Sequence, residues 1–156
     1  MGTAANVLVG VASVTIGETE VGYTADGVTM TVSSDFFDVK VEELVGTIKR
    51  VLVDQEIEVA LNMAEGSLAN MAEAIPGSSL ADSILTLGGA ALQEKALVLV
   101  GTNPAGFDRT ITLTLVNPVG AVGMPYKKGE ITVVPVTFKA LVDDSGEFGT
   151  VEDAAA

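Results

Sequence analysis

Cysteine, histidine and tryptophan are all absent from this 156-residue chain. Without cysteine there are no disulfides, thiolate zinc sites or Cys-His nucleophiles. Without histidine there are no imidazole metal sites, no Ser-His pair and no general base of the usual neutral-pH kind. Most familiar hydrolase mechanisms are thereby closed, and the chain reads as a non-enzyme with no catalytic residue, no metal site and no cofactor. Two tyrosines and five phenylalanines are the only aromatics, which leaves little flat surface for stacking sugars or single-stranded nucleic acid. Positive charge is scarce as well. Eight Lys and Arg against 21 Asp and Glu give a net charge of −13, the wrong sign for a protein that grips phosphates. Residues 1–17 are uncharged but lack a basic leader and are interrupted by Asn6, Ser13 and Thr15; residues 110–126 are uncharged but mix in Thr, Asn, Pro and Gly. Neither reads as a signal peptide or a membrane helix of about 20 apolar residues. The expectation is a soluble protein with no membrane partner, made in a cytoplasm.

What is present is small and aliphatic. Apolar residues make up 48% of the chain and mean hydropathy is +0.48, carried mostly by Ala, Val and Leu, a composition for sheets and for surface buried between subunits. The length fits one domain, residues 1–156. Residues 1–10 read as an N-terminal arm and 11–16 as a strand. Val28, Met30 and Val32 alternate with Thr29, Thr31 and Ser33 after an Asp26-Gly27 pair that favours a hairpin turn. Phe37, Val39 and Val41 alternate with Asp38, Lys40 and Glu42, and Ile57, Val59, Leu61 and Met63 alternate with Glu56, Glu58, Ala60 and Asn62, so each strand has one dry and one wet face. Between them "ELVGTIKRVLV" breaks the pattern, and residues 43–53 are expected to form a long loop. Ser67 is placed to cap a short helix over residues 68–75, stopped by Pro76-Gly77, with Asn70 where a capping box would have Glu or Gln. Residues 80–93 fit neither a helix nor a strand template. Strands are expected over 97–101, 110–116 and 131–141, with Pro135 marking an edge or a bulge. Residues 143–156 read as an acidic tail. The fold class is mainly β, sandwich- or barrel-like, with one flanking short helix.

No cluster stands out as a reaction centre. Asp143, Ser145 and Glu147 are spaced like calcium-loop ligands, but no later bidentate Glu completes the set, and a solvated turn is the simpler reading. Glu56 and Glu58 share a strand face, as do Asp38 and Glu42, which is what the wet side of any half-buried strand looks like. "LGGAAL" over residues 87–92 lacks the spacing and the lysine of a phosphate loop. Lys127-Lys128-Gly129 could touch phosphate but reads more simply as loop decoration.

Residues 22–77, from "GYTADGVTMTVSSDFFDVKVEEL" through "VLVDQEIEVALNMAEGSLANMAEAIPG", together with "VVPVTFKALVDDSGEFGTV", resemble the major tail tube proteins of tailed bacteriophages. The pieces that carry the likeness are the Gly22-Tyr23-Thr24 and Gly27-Val28-Thr29 entry, the strands over 38–43 and 51–65, the helix over 68–75, and residues 135–144. Residues 80–103 match nothing in the pattern.

The resemblance implies a structural virion protein, a homo-hexameric ring whose subunits each give four strands to an inner barrel, with rings stacked into a tube that conducts the genome into the host. Twenty-four strands at about 4.8 Å spacing and about 40° tilt would close at roughly 45–50 Å, wide enough for duplex DNA and water. Six copies would carry six times −13, or −78, so that DNA passes without specific binding. Tape-measure and tail terminator proteins are the further partners implied, the virion tail the final location and the host cytoplasm the place of assembly. On this reading residues 43–53 project as an inter-ring loop with Leu44, Val45, Gly46, Ile48, Lys49, Arg50 and Leu52 in contact. Asp38, Lys40, Glu42, Glu56 and Glu58 are the lumen-facing candidates. The alternatives are a related secretion-system tube protein and a β-sandwich receptor-binding or decoration protein.

Overall fold

The computed structural model describes residues 10, 12–103 and 105–155; apart from Gly10, the expected N-terminal arm lies outside them. The elements in chain order are β1 (Ser13–Ile16), β2 (Thr19–Glu20), β3 (Thr24–Lys40), β4 (Thr47–Met63), α1 (Leu68–Ala74), β5 (Ser79–Ala81), β6 (Ile84–Thr86), β7 (Lys95–Thr102), β8 (Asp108–Val119), β9 (Val134–Leu141) and β10 (Gly149–Asp153). One antiparallel sheet runs β2-β1-β7-β8-β9-β4-β3, with β10 also on β8, and β5-β6 form a separate ribbon.

Alternation puts one face of this sheet on a common core. Val14 and Ile16 of β1, Val59, Leu61 and Met63 of β4, Leu97 and Leu99 of β7, Leu113 and Val116 of β8, and Val134, Val136 and Phe138 of β9 are all buried, and Val21 and Ala74 join them. The sheet doubles over because β8 carries an extra residue where Lys95↔Val116 gives way to Leu97↔Leu113. On its other edge β9 pairs with residues 115–119 of β8 and β10 with residues 109–113. The bulge bends β8 at the handover, giving the sandwich-like form.

Helix α1 flanks the sheet as expected. Ser67 Oγ accepts from the Asn70 amide at 3.2 Å, and Asn70 turns inward, its Nδ2 donating to the carbonyls of Val21 at 2.8 Å and Glu65 at 2.9 Å. The residue that spoils the capping box therefore ties the helix to the β2–β3 connection. Pro135 pairs with Asn62 of β4 beyond the end of the β8 pairing, so its other side is an edge.

Four expectations need correcting. Asp26-Gly27 is not a hairpin turn: both residues have positive φ (60° and 77°), yet β3 runs through them, Ala25 pairing with Asn62 and Val28 with Leu61. The left-handed pair that suits a type I′ turn here makes a two-residue bulge. The loop over 43–53 is shorter than expected. The turn covers residues 41–46, and β4 already begins at Thr47. Unpaired Val53 and Ile48 shift the register without ending the strand, which breaks the apparent period. The acidic tail contains β10, held by backbone bonds that need no apolar side chains, and Arg109 grips Asp153 through two hydrogen bonds of 2.6 and 2.8 Å. Residues 80–93 include the short β5-β6 ribbon, turned at Asp82 and Ser83, both with positive φ.

Candidate assembly surface

Among the described residues β3 has β4 as its only neighbour, and β4 loses β9 after the Glu58↔Lys139 pair. From Val32↔Ile57 out to Lys40↔Thr47 the two strands pair, among the described residues, with nothing but each other. At about 3.4 Å per residue this ribbon stands roughly 30 Å beyond the sheet. Its outer edge, which no described residue pairs with, runs along a 17-residue strand, far longer than an edge left to solvent usually is.

The register defines its faces. Val28, Met30, Val32, Ser34, Phe36 and Asp38 of β3 share a face with Leu61, Val59, Ile57, Gln55, Leu52 and Arg50 of β4. This is the face that becomes the core inside the domain. The opposite face carries Thr29, Thr31, Ser33, Asp35, Asp54, Glu56 and Glu58 near the body, and Phe37, Val39, Val51 and Lys49 farther out. Apolar character thus changes face between Val32 and Phe37, next to the bulge at Val53, and a bulge increases local twist. Val32, Phe36, Phe37, Leu52 and Val53 are all about half exposed or more. Ten large apolar residues from Val32 to Val53 are exposed, eight of them about half or more, which is an unfinished surface.

The lumen-facing candidates are divided by this geometry. Glu56 and Glu58 lie together on the polar face and share Lys139 Nζ at 3.6 and 3.4 Å. The two carboxylates hold the Lys139 ammonium above its ordinary range, Glu56 first. Asp38 and Lys40 lie on the opposite face, and Glu42 is in the turn. Asp38 is held by Arg50 at 2.6 and 3.1 Å, which draws its carboxyl below the usual value and raises Arg50 in return. The Arg50 guanidinium also stands 6.0 Å over the Phe36 ring, at the outer reach of a cation–π contact.

Of the inter-ring candidates, Leu44, Val45 and Gly46 form the turn, with Val45 wholly exposed (110%). Ile48 sits at a bulge, Lys49 opposite Val39, Arg50 opposite Asp38 and Leu52 opposite Phe36, so the set spans both faces. Phe36, Phe37 and Lys139 are the members sequence reasoning passed over. The doublet Phe36-Phe37 in a chain so poor in aromatics was the available signal.

Among the described residues no buried side-chain polar atom lacks a hydrogen-bond partner. One cavity, about 370 Å³, lies between the end of α1, residues 76–80 and residues 90–95. On its wall Glu73 receives Lys95 Nζ at 2.7 Å on both oxygens and the Thr19 hydroxyl at 3.2 Å. Asp143 Oδ1 accepts from the Ser145 and Glu147 amides, closing an Asx-type turn. Among the described residues no group of three acidic side chains is placed to hold a metal ion, and no helix is long and apolar enough to cross a membrane.

No protein family and no curated protein matches the chain by sequence. Its backbone does find counterparts. A chain in the cryo-EM structure of an extracellular contractile injection system, the PVC sheath-tube complex in the extended state, superposes with a TM-score of 0.55 at 15% identity, over 92% of this chain and 89% of that one. The fold is shared with chains of contractile injection systems. A chain of the anti-feeding prophage cap, described as the AFP tube terminating cap, gives 0.56 at 16% identity over 99% and 100%. One in the PVC sheath/tube terminator in its extended state gives 0.55 at 17% over 96% and 96%. Coverage is near complete in both directions, so the likeness runs along most of the chain.

Proposed function

We propose that this chain is a tube subunit of a phage tail or related injection particle: six copies close into a ring, rings stack, and duplex DNA crosses the channel without being gripped. The free β3–β4 ribbon, in a fold shared with injection-system chains, is the observation that carries the reading. The long open edge of β3 gives each copy a place to pair with its neighbour, and closure into a ring removes that edge. The hydroxyl- and carboxylate-rich face, with Glu56 and Glu58, faces the lumen, while Phe36, Leu52 and the turn meet other subunits. Asp38 and Lys40 belong to the subunit contacts and not to the channel wall. A tape-measure protein in the lumen and a terminator on the last ring complete the particle, which is assembled in the host cytoplasm. The full-length likeness to a chain of a tube-terminating cap favours, as a second reading, a subunit that forms the closing ring.

Hydrogen exchange tests the edge. The outward amides of β3 should exchange freely in the dilute protein and become protected on assembly. Assembly with those amides still exchanging would overturn this use of the ribbon.

A further inference from the structure

The two ends of β4 carry opposite surfaces. The turn over residues 41–46 lies beyond Thr47, and Glu42 and Glu43 there stand next to exposed Leu44 and Val45. At the other end, β8 stops at Val119 opposite Thr137 and β9 starts at Val134 opposite Met63, so the connection between them emerges beside Met63. This connection, residues 120–133, is anchored. Val122 and Met124 pack on the core, the Thr132 hydroxyl donates to the Pro125 carbonyl at 2.9 Å, and a turn at Gly129 closes Lys127 to Glu130. Held out on it are Tyr126 (78% exposed) and Ile131 (71%), with Lys127 and Lys128 between them. Among the described residues Lys127 has only a 4.0 Å contact with Glu130. By contrast Arg50, Lys95, Arg109 and Lys139 are each committed within their own chain.

We infer that the Tyr126-Lys127-Lys128…Ile131 loop is the docking surface for the 41–46 turn of a second copy of this chain. The inference rests on the tube reading and names the contact that would stack one ring on the next. An acidic pair beside two bare aliphatic side chains meets a basic pair between two bare apolar ones. Lys40 and Lys49 below the turn and Glu130 on the loop oppose charges in the other sense, so the fit is complementary in both directions. The 17 residues of β4 separate the surfaces by roughly 50 Å, so no chain can satisfy its own. A contact between unlike ends of identical subunits repeats by translation and builds a filament.

The test is a charge exchange on the full-length chain, read as the concentration at which polymer appears in sedimentation, with circular dichroism confirming that each variant is folded. Glu42→Lys with Glu43→Lys should raise that concentration about ten-fold or more, as should Lys127→Glu with Lys128→Glu, since each sets like charges against each other. Mixing the two variants should yield alternating polymer, and the quadruple variant should polymerise near the wild-type concentration. Polymer from either double variant at the wild-type concentration would overturn this contact and leave the tube standing. A quadruple variant no better than the doubles would do the same. Wild-type rings that never stack would overturn the contact and favour the terminal-ring reading, whereas a wild-type monomer under all conditions would overturn the tube itself.

Discussion

Replacing Lys95 by Met would leave the Glu73 carboxylate, whose side chain is only 9% exposed, with the Thr19 hydroxyl as its one remaining side-chain partner. Breaking a buried pair from one side costs about 3–5 kcal/mol. The Lys95 side chain is 36% exposed, so water already screens part of the attraction, and about 2–4 kcal/mol is expected. For a domain of this size that lowers the midpoint of thermal unfolding by roughly 5–15 °C. Replacing both partners, Glu73→Leu with Lys95→Met, removes the stranded charge and should return stability to within about 1 kcal/mol of wild type, with a clear coupling in the double-mutant cycle. Thermal and urea unfolding followed by circular dichroism measure all four species. A Lys95→Met protein as stable as wild type, or a double variant no better than the single one, would refute the view that this pair fastens α1 to the β7 entry.

Gly22→Ala should destabilise by about 1–3 kcal/mol in the same assays, because φ is +79° and a Cβ there runs into the Glu65 carboxylate, which accepts from the Tyr23 amide. Asp38 and Asp153 have carboxyls drawn below their ordinary value by hydrogen bonds from Arg50 and Arg109. Their stabilisation is therefore complete above the unfolded-state value and lost as pH falls through the lower folded one. Amide exchange in the outer ribbon and in β10 should rise selectively below about pH 4, and exchange unchanged by that acidification would remove both clasps from the account. Shortening the turn within residues 41–46 should preserve the fold and weaken polymerisation, as sedimentation would show. Glu56→Lys with Glu58→Lys would put twelve lysines on each six-copy ring where carboxylates stood and leave Lys139 unpaired. DNA passage through tubes of this variant should slow, most at low salt, and unaffected passage would place these residues outside the channel.

The parts of this fold that could be read from the sequence are those set by local physics. Alternation located β1, the turn-rich segments between them set off β7, β8 and β9, and Ser67 with Pro76-Gly77 fixed the ends of α1 within a residue or two. The ribbon was harder because its evidence is non-local. Val53 and Ile48 each drop out of register, so the first part of a continuous 17-residue strand looked like a loop. Its faces were hard to read for a related reason. Val28, Met30 and Val32 place the apolar side on even positions and Phe37, Val39 and Val41 on odd ones, a change of phase that appeared to need a turn but occurs within one strand. Which of the acids share a face follows from pairing with β4 and β9, and Lys139 enters only because β9 lies beside Glu58. β10 carries little apolar signal, since backbone bonds and Arg109 hold it.

Electron microscopy of the purified full-length protein, concentrated to favour assembly, tests the central claim most directly. The account requires sixfold rings or tubes with a continuous inner wall of strands, the β3–β4 ribbons forming part of that wall and Glu56 and Glu58 turned toward the channel. Particles without sixfold symmetry, or a channel wall built without these ribbons, would contradict it.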